Sequence, residues 1–218
     1  MLRAIPIMLL AMALIPAGDA AGKLMFNTHG VLPGFVAWLR FVVGAVLLIA
    51  ITRGKAIEAS AFRNPWVLFR GALIAVTIFT ILSGIQTVSL STAFAAFFVG
   101  PMVSYLLSVL LLKEQVTWTR TGLLLLGFVG VLLVVRPDAG LSVGAGLAAL
   151  AGVFYGGYLT ASRWLAGKVA GDAMLMVQLT VGAVLLTPFG LSALPETWPP
   201  GLWGLIALSG AFSMLGNL

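Results

Sequence analysis

The chain has 218 residues, 61% hydrophobic and 8% charged, with no cysteine and a mean hydropathy of +1.14. A water-soluble domain carries about 25% charged residues, so this composition excludes a water-facing surface. It also excludes a disulfide framework, a thiolate nucleophile and a Cys-built zinc site. The net charge of +6 comes from basic residues scattered between apolar runs, which points to orientation in a bilayer rather than to nucleic acid.

A helix needs about 20 apolar residues to cross a bilayer, and lipid leaves the backbone no alternative to a helix. Eight segments meet or nearly meet that length: 4–27, 34–52, 67–87, 90–112, 118–136, 141–165, 173–190 and 202–218. Arg3, the apolar run after it and the small residues near Ala20 resemble a signal peptide. The stretch from Ala4 to Phe26 is long for one, and further spans follow at once.

The first span contains IPAGDAAGK, with Asp19 and Lys23 one helical turn apart on one face. Pro16 removes a helix hydrogen bond, and Gly18 and Gly22 allow a close helix approach. The second span contains Arg40. At 1.5 Å per residue, Asp19 and Arg40 both fall about 5 Å outward of the span centres. Three readings compete: an ion pair of Asp19 with Lys23 or Arg40 that only joins helices, a Lys23 that snorkels to the outer surface, and a polar cavity that binds substrate or a proton. The three groups sum to +1, which favours an anionic or zwitterionic small molecule. Asp19 is the candidate for proton coupling.

The third span holds Gln86 and the fourth Pro101, with Glu114 at its inner end, either as a headgroup-level acid beside Lys113 or as an acid that pairs across helices to hold an inner gate. Tyr155 and Tyr158 in the sixth span are candidates to line a pocket. Gln178 in the seventh and Asn217 in the eighth are costly amides to bury. His29 falls in an outer loop. No metal or cofactor motif is present.

With the N-terminus inside, nine basic residues lie inside (Arg3, Arg53, Lys55, Arg63, Arg70, Lys113, Arg120, Arg163, Lys168) and only Arg136 outside. This predicts a cytoplasmic N-terminus in a multi-pass cell-membrane protein, such as one of the bacterial inner membrane. VGAVLL at 43–48 recurs at 181–186, an offset of 138 residues. The period holds five spans, so a second copy enters the membrane inverted. The predicted fold is therefore an all-α integral membrane protein of ten spans in a 5+5 inverted repeat, a transporter architecture. About eight spans are present: residues 1–138 form the first repeat and 139–218 an incomplete second. Two full copies need about 276 residues by this period, so the expectation is a chain that stops short of spans nine and ten.

The stretch LSTAFAAFFVGPMVSYLLSVLLLKEQVTWTRTGLLLLGFVGVLLVVRP resembles spans four and five of the EamA domain of the drug/metabolite transporter superfamily. The shared features are a small-residue helix with Pro101 inside it, an acid at Glu114 and a Gly-rich span ending in LLVVRP. Lys113 stands where the family has glycine. Trp38-Leu39-Arg40-Phe41 resembles the family's Arg-Phe in span two, and DAAGKL an Asp-x3-Lys form of span one. The resemblance implies a secondary transporter working by alternating access on a small metabolite or drug, with no enzymatic activity or cofactor. Relatives carry amino acids, purines, nucleotide-sugar-like metabolites, riboflavin, S-adenosylmethionine or drugs, and the Asp-Lys form is closest to the riboflavin and S-adenosylmethionine type. The alternatives are a membrane-embedded enzyme, which needs a His–Asp cluster near a headgroup surface, and a scaffold or receptor without a polar cavity.

Overall fold

The computed structural model describes residues 4–135 and 142–216. They form ten helices: α1 (Ala4–His29), α2 (Pro33–Thr52), α3 (Ala59–Arg63), α4 (Pro65–Thr87), α5 (Leu90–Phe97), α6 (Val99–Leu112), α7 (Trp118–Val135), α8 (Val143–Leu165), α9 (Gly171–Ser192) and α10 (Pro200–Leu215). The apolar runs become helices, and the punctuation ends them. Pro33 and Pro200 open α2 and α10 at the first turn, where the missing N–H costs nothing. Ser89 and Ser142 cap α5 and α8, accepting from the N–H groups of Thr92 and Ala145 at 3.1 and 3.2 Å.

Five helical stretches among the described residues are long and apolar enough to cross a membrane: α2, α4, Leu90–Leu112, α8 and α9. Shorter apolar helices cover Trp118–Leu133 and Pro200–Leu215. This is a multi-span, all-α membrane protein.

Three details differ from the sequence reading. The first helix runs on to His29, so that residue ends a helix instead of lying in a loop. The basic loop after α2 contains the one-turn helix α3. The fourth span is broken at Phe98. The physical cause is Pro101, which has no N–H to donate to the Phe97 carbonyl, so the ladder loses a rung there.

Two compact units are present. The first takes the described residues up to Ala75 and from Gly167 onward. In it α1 packs on α10, α10 on α2, and α2 on α9. Because lipid is as apolar as leucine, burial does not drive these helices together, and close packing at small residues must. Gly18 of α1 brings the two backbones near each other: a methyl there would lie 3.4 Å from the Ser209 carbonyl oxygen and 3.6 Å from Phe212 Cβ.

The crossing of α2 and α9 is reciprocal. Phe41 of α2 lies over Gly182 of α9, so that a methyl at Gly182 would meet the ring Cγ and Cε1 at 2.5 Å. Leu179 of α9 lies over Gly44 of α2, where a methyl would meet Leu179 Cδ2 at 2.8 Å. Phe41 and Leu179 are 138 positions apart, as are Gly44 and Gly182. These paired contacts run α2 and α9 antiparallel. Contacts of Arg40 with Ser209 and of Gly44 with Met214 run α2 and α10 parallel.

The second unit spans Val76–Ala166. Its centre is α8, which presents Gly144, Ala148, Gly152, Gly156 and Thr160 at every fourth position and packs on α5 and α6. A methyl at Gly152 would lie 2.6 Å from the Phe97 carbonyl oxygen, the one left without its helical donor by Pro101, and 3.1 Å from the Gly100 nitrogen. A methyl at Gly156 would lie 2.8 Å from the Gly100 carbonyl oxygen. The contacts Gly100–Gly152 and Ser108–Arg163 run α6 and α8 parallel, whereas Gly84 and Thr87 meet α8 near Gly144 antiparallel.

Candidate substrate site

In the first unit, three helices bring charged and polar groups to one buried point. Arg40 of α2 donates from Nη1 to Asp19 Oδ1 of α1 at 2.6 Å, from Nη2 to the Gly18 carbonyl at 2.6 Å, and from Nε to Ser209 Oγ of α10 at 2.8 Å. Ser209 Oγ also donates to the Gly18 carbonyl at 3.2 Å. Asp19, Arg40 and Ser209 are 5%, 4% and 1% exposed. An ion pair so far from water is worth keeping only if its hydrogen-bonding groups are answered. Here Arg40 has a partner at each of its three nitrogens. Asp19 does not match it: the ion pair is monodentate, through Oδ1.

The local sequence makes this arrangement possible. Gly18 lets α10 come close enough for Ser209 to reach across. Pro16 lies inside α1, one turn before the charged turn, and removes a backbone donor there. Of the two cations that the sequence offered to Asp19, the ion pair is made with Arg40. Lys23 is half-buried one turn farther along α1, and Gly22 is buried beside it.

Gln178 of α9 belongs to the same unit and is 2% exposed. It lies at a close approach to the start of α4, where a methyl at Gly71 would be 3.3 Å from Gln178 Cα. The neighbouring Arg70, which the sequence reading put at the inner boundary, is only 8% exposed and donates to the Met174 carbonyl at 3.5 Å. Arg70 and Ser209 were missed as site candidates. Ser209-Gly210 is a small pair within an apolar helix, and that was its only signal.

The remaining described candidates belong to the second unit. Tyr155 and Tyr158 stack with ring centroids 5.8 Å apart, and Phe97 lies 5.0 Å from Tyr155. Gln86 is exposed near the end of α4, while Gly84 and Ile85 in the same turn are buried. Pro101 is half-buried in the first turn of α6. Glu114 pairs with Arg120 at 2.7 Å, with side chains 29% and 43% exposed, and the Arg120 guanidinium lies 5.8 Å from the centre of the Tyr105 ring. An exposed pair of this kind contributes about 0–1 kcal/mol. Lys113 ends α6 in the left-handed conformation (φ 56°, ψ 34°), which explains why the family favours glycine there. Asn217 lies outside the described residues.

Apolar helices joined at glycine contacts around a buried ion pair define a polytopic membrane protein. The sequence matches the EamA-like transporter family over residues 2–136, and the chain belongs to that family. It is not an enzyme family. Among the described residues, no three His, Cys, Asp or Glu side chains gather in a metal-binding group.

Among its relatives is the pseudopaline exporter CntI of Pseudomonas aeruginosa (strain UCBPP-PA14), 26% identical over 84% of this chain. The chain spans 65% of that relative's length. The threonine/homoserine exporter RhtA of Escherichia coli is 29% identical over 98% of this chain, which covers 70% of that relative. One protein of known crystal structure, 22% identical, superposes with a TM-score of 0.66 over 95% of this chain and 78% of its own. That likeness bears on the fold alone.

Proposed function

We propose that the protein is a secondary transporter that moves a small amino-acid-like solute by alternating access, with the Asp19–Arg40–Ser209 cluster facing the solute. The observation that carries this reading is the cluster itself. Ionisable groups inside a membrane helix bundle are expensive to keep and mark substrate or ion pathways. The monodentate pair leaves an acceptor on Asp19 and two N–H groups on Arg40, complementary to the ammonium and carboxylate of a zwitterion. Threonine and homoserine, named for one relative, present both groups. Asp19 is the group that would exchange a proton during the cycle.

Alternating access needs two related halves, and the 138-residue offset supplies them. It relates Phe41 to Leu179 and Gly44 to Gly182 across one reciprocal crossing. The same offset relates Arg40 to Gln178 and Ser209 to Gly71, so the contact of α2 with α10 has a counterpart between α9 and α4. Helix directions support alternate crossings: partners whose span numbers differ by an even count run parallel, and the others antiparallel. These relations favour a 5+5 inverted repeat with repeats at 1–138 and from 139 onward. The basic bias of the loops favours a cytoplasmic N-terminus.

The test is transport of radiolabelled threonine and homoserine into proteoliposomes that hold the purified protein. The wild-type chain should take up at least one of them. Asp19→Asn and Arg40→Gln should each abolish uptake while leaving folded protein in the bilayer. Wild-type rates in both variants would refute the role of the cluster. Rescue in the double variant would instead make it a structural pair.

A further inference from the structure

We infer that Arg40 is a carboxylate-binding site whose resident carboxylate, Asp19, is an exchangeable stand-in for an external one. The inference deepens the reading of this cluster as substrate-facing, and names the group that the substrate presents to Arg40.

The two members of the pair are held very differently. Arg40 is positioned by neutral groups that do not depend on Asp19: Ser209 Oγ on Nε at 2.8 Å and the Gly18 carbonyl on Nη2 at 2.6 Å. Those two bonds fix the plane of the guanidinium and aim Nη1. Asp19 touches only that nitrogen, through one oxygen. A carboxylate has about four acceptor positions, and a buried one kept for structure is normally surrounded by donors. Asp19 meets Arg40 through Oδ1 in a single bond, and Oδ2 is not among the fully buried atoms without a partner. Removing Asp19 therefore leaves the guanidinium in place with an empty anion position. Removing Arg40 leaves a buried carboxylate with nothing. Arg40 is the fixed receptor and Asp19 the replaceable occupant.

Guanidinium and carboxylate match best as a fork, with two parallel hydrogen bonds. The Asp19 contact does not reach that geometry, so an incoming carboxylate that can rotate freely has a better bond available than the tethered one. At the 138-residue offset Arg40 corresponds to Gln178, and Asp19 to Gly157, so the related half carries neither the cation nor the acid. Pro16, in the turn before Asp19, supplies the local freedom that α1 needs to move its carboxylate aside.

Formate is the probe, because the group lost in Asp19→Ala is one carboxylate on an alanine-sized stem. The full chain, purified in detergent, is titrated with sodium formate against sodium chloride at matched ionic strength. Thermal unfolding and calorimetric binding are both read. Asp19→Ala should bind formate at least about tenfold more tightly than the wild type, with an unfolding midpoint that rises with formate concentration. Asp19→Asn keeps the shape of the side chain and guards against a folding defect; it should also bind more tightly than the wild type. The double variant Asp19→Ala/Arg40→Gln should not respond beyond the chloride control. Equal formate binding by wild type and both Asp19 variants would overturn the inference, as would a response that survives loss of Arg40. Neither readout uses transport. A transporting wild type whose Asp19 variants ignore formate refutes the carboxylate site alone. A formate response in a protein that moves no solute refutes the transport reading alone.

Discussion

The reciprocal crossing of α2 and α9 makes a quantitative prediction, because its two halves are alike in sequence register and unlike in what they can yield. Replacing Gly182 by alanine in the middle of α9 should gain about 1 kcal/mol in helix propensity. Against this, the new methyl would overlap the Phe41 ring, with Cγ and Cε1 both at 2.5 Å. Cγ is the root of the ring, so rotation of the ring about its own axis does not relieve the overlap. Phe41 is 1% exposed and has no room to adopt another rotamer. With these ring atoms inside contact distance the overpacking cost falls at the upper end, about 2–3 kcal/mol, so the net result should be a loss of about 1–2 kcal/mol. Gly44→Ala is crowded by the tip of Leu179, Cδ2 at 2.8 Å, while Met214 Cβ at 3.6 Å and Leu179 Cδ1 at 3.7 Å are ordinary contacts. A small rotation of the leucine relieves that contact, and the propensity gain then offsets the rest. This variant should stay within about 0.5 kcal/mol of the wild type. The assay is reversible unfolding of the full chain in mixed micelles across an SDS titration. Phe41→Leu should rescue Gly182→Ala, with a coupling of about 1 kcal/mol or more in the double-mutant cycle. A Gly182→Ala protein as stable as the wild type, a worse effect at Gly44, or no coupling to Phe41 would each refute the packing argument.

Gly152→Ala should loosen α8 from α5 and α6 by about 2 kcal/mol or more. The obstacle is backbone, the Phe97 oxygen at 2.6 Å and the Gly100 nitrogen at 3.1 Å, which the same unfolding titration would register. Lys113→Gly should stabilise by about 1 kcal/mol, because a left-handed backbone costs a side chain roughly that much; an unchanged midpoint would argue against the strain. Single cysteines at Ser60 and Thr197 report orientation with a membrane-impermeant thiol reagent on whole cells. Labelling at Thr197 alone is expected, and labelling at Ser60 alone would invert the proposed topology.

The amino-acid sequence determined where the helices are. In lipid an apolar run must be helical, since nothing outside the chain can satisfy its backbone, and the predicted spans match the observed helices to within a few residues. Family membership was legible for a similar reason. Pro101, Glu114, Trp38-Leu39-Arg40-Phe41 and the Gly-rich fifth span are local features that survive in one dimension. Sequence also offered Asp19 two cations, Lys23 one turn along its own helix and Arg40 on the next. It could not choose between them. That choice depends on how each helix is rotated about its axis and on which neighbour it faces, and both are set by distant close approaches at glycines. Gly18 admits α10, and with it Ser209, 191 positions away in the chain. Gly44 and Gly182 fix the phase of α2, and hence where Arg40 points. The same nonlocal packing put Gln86 on an exposed face and buried Arg70. It also made the Asp19–Arg40 pair monodentate, because the Gly18 carbonyl and the Ser209 hydroxyl accept from Nη2 and Nε of Arg40 and Nη1 is the nitrogen that meets Asp19.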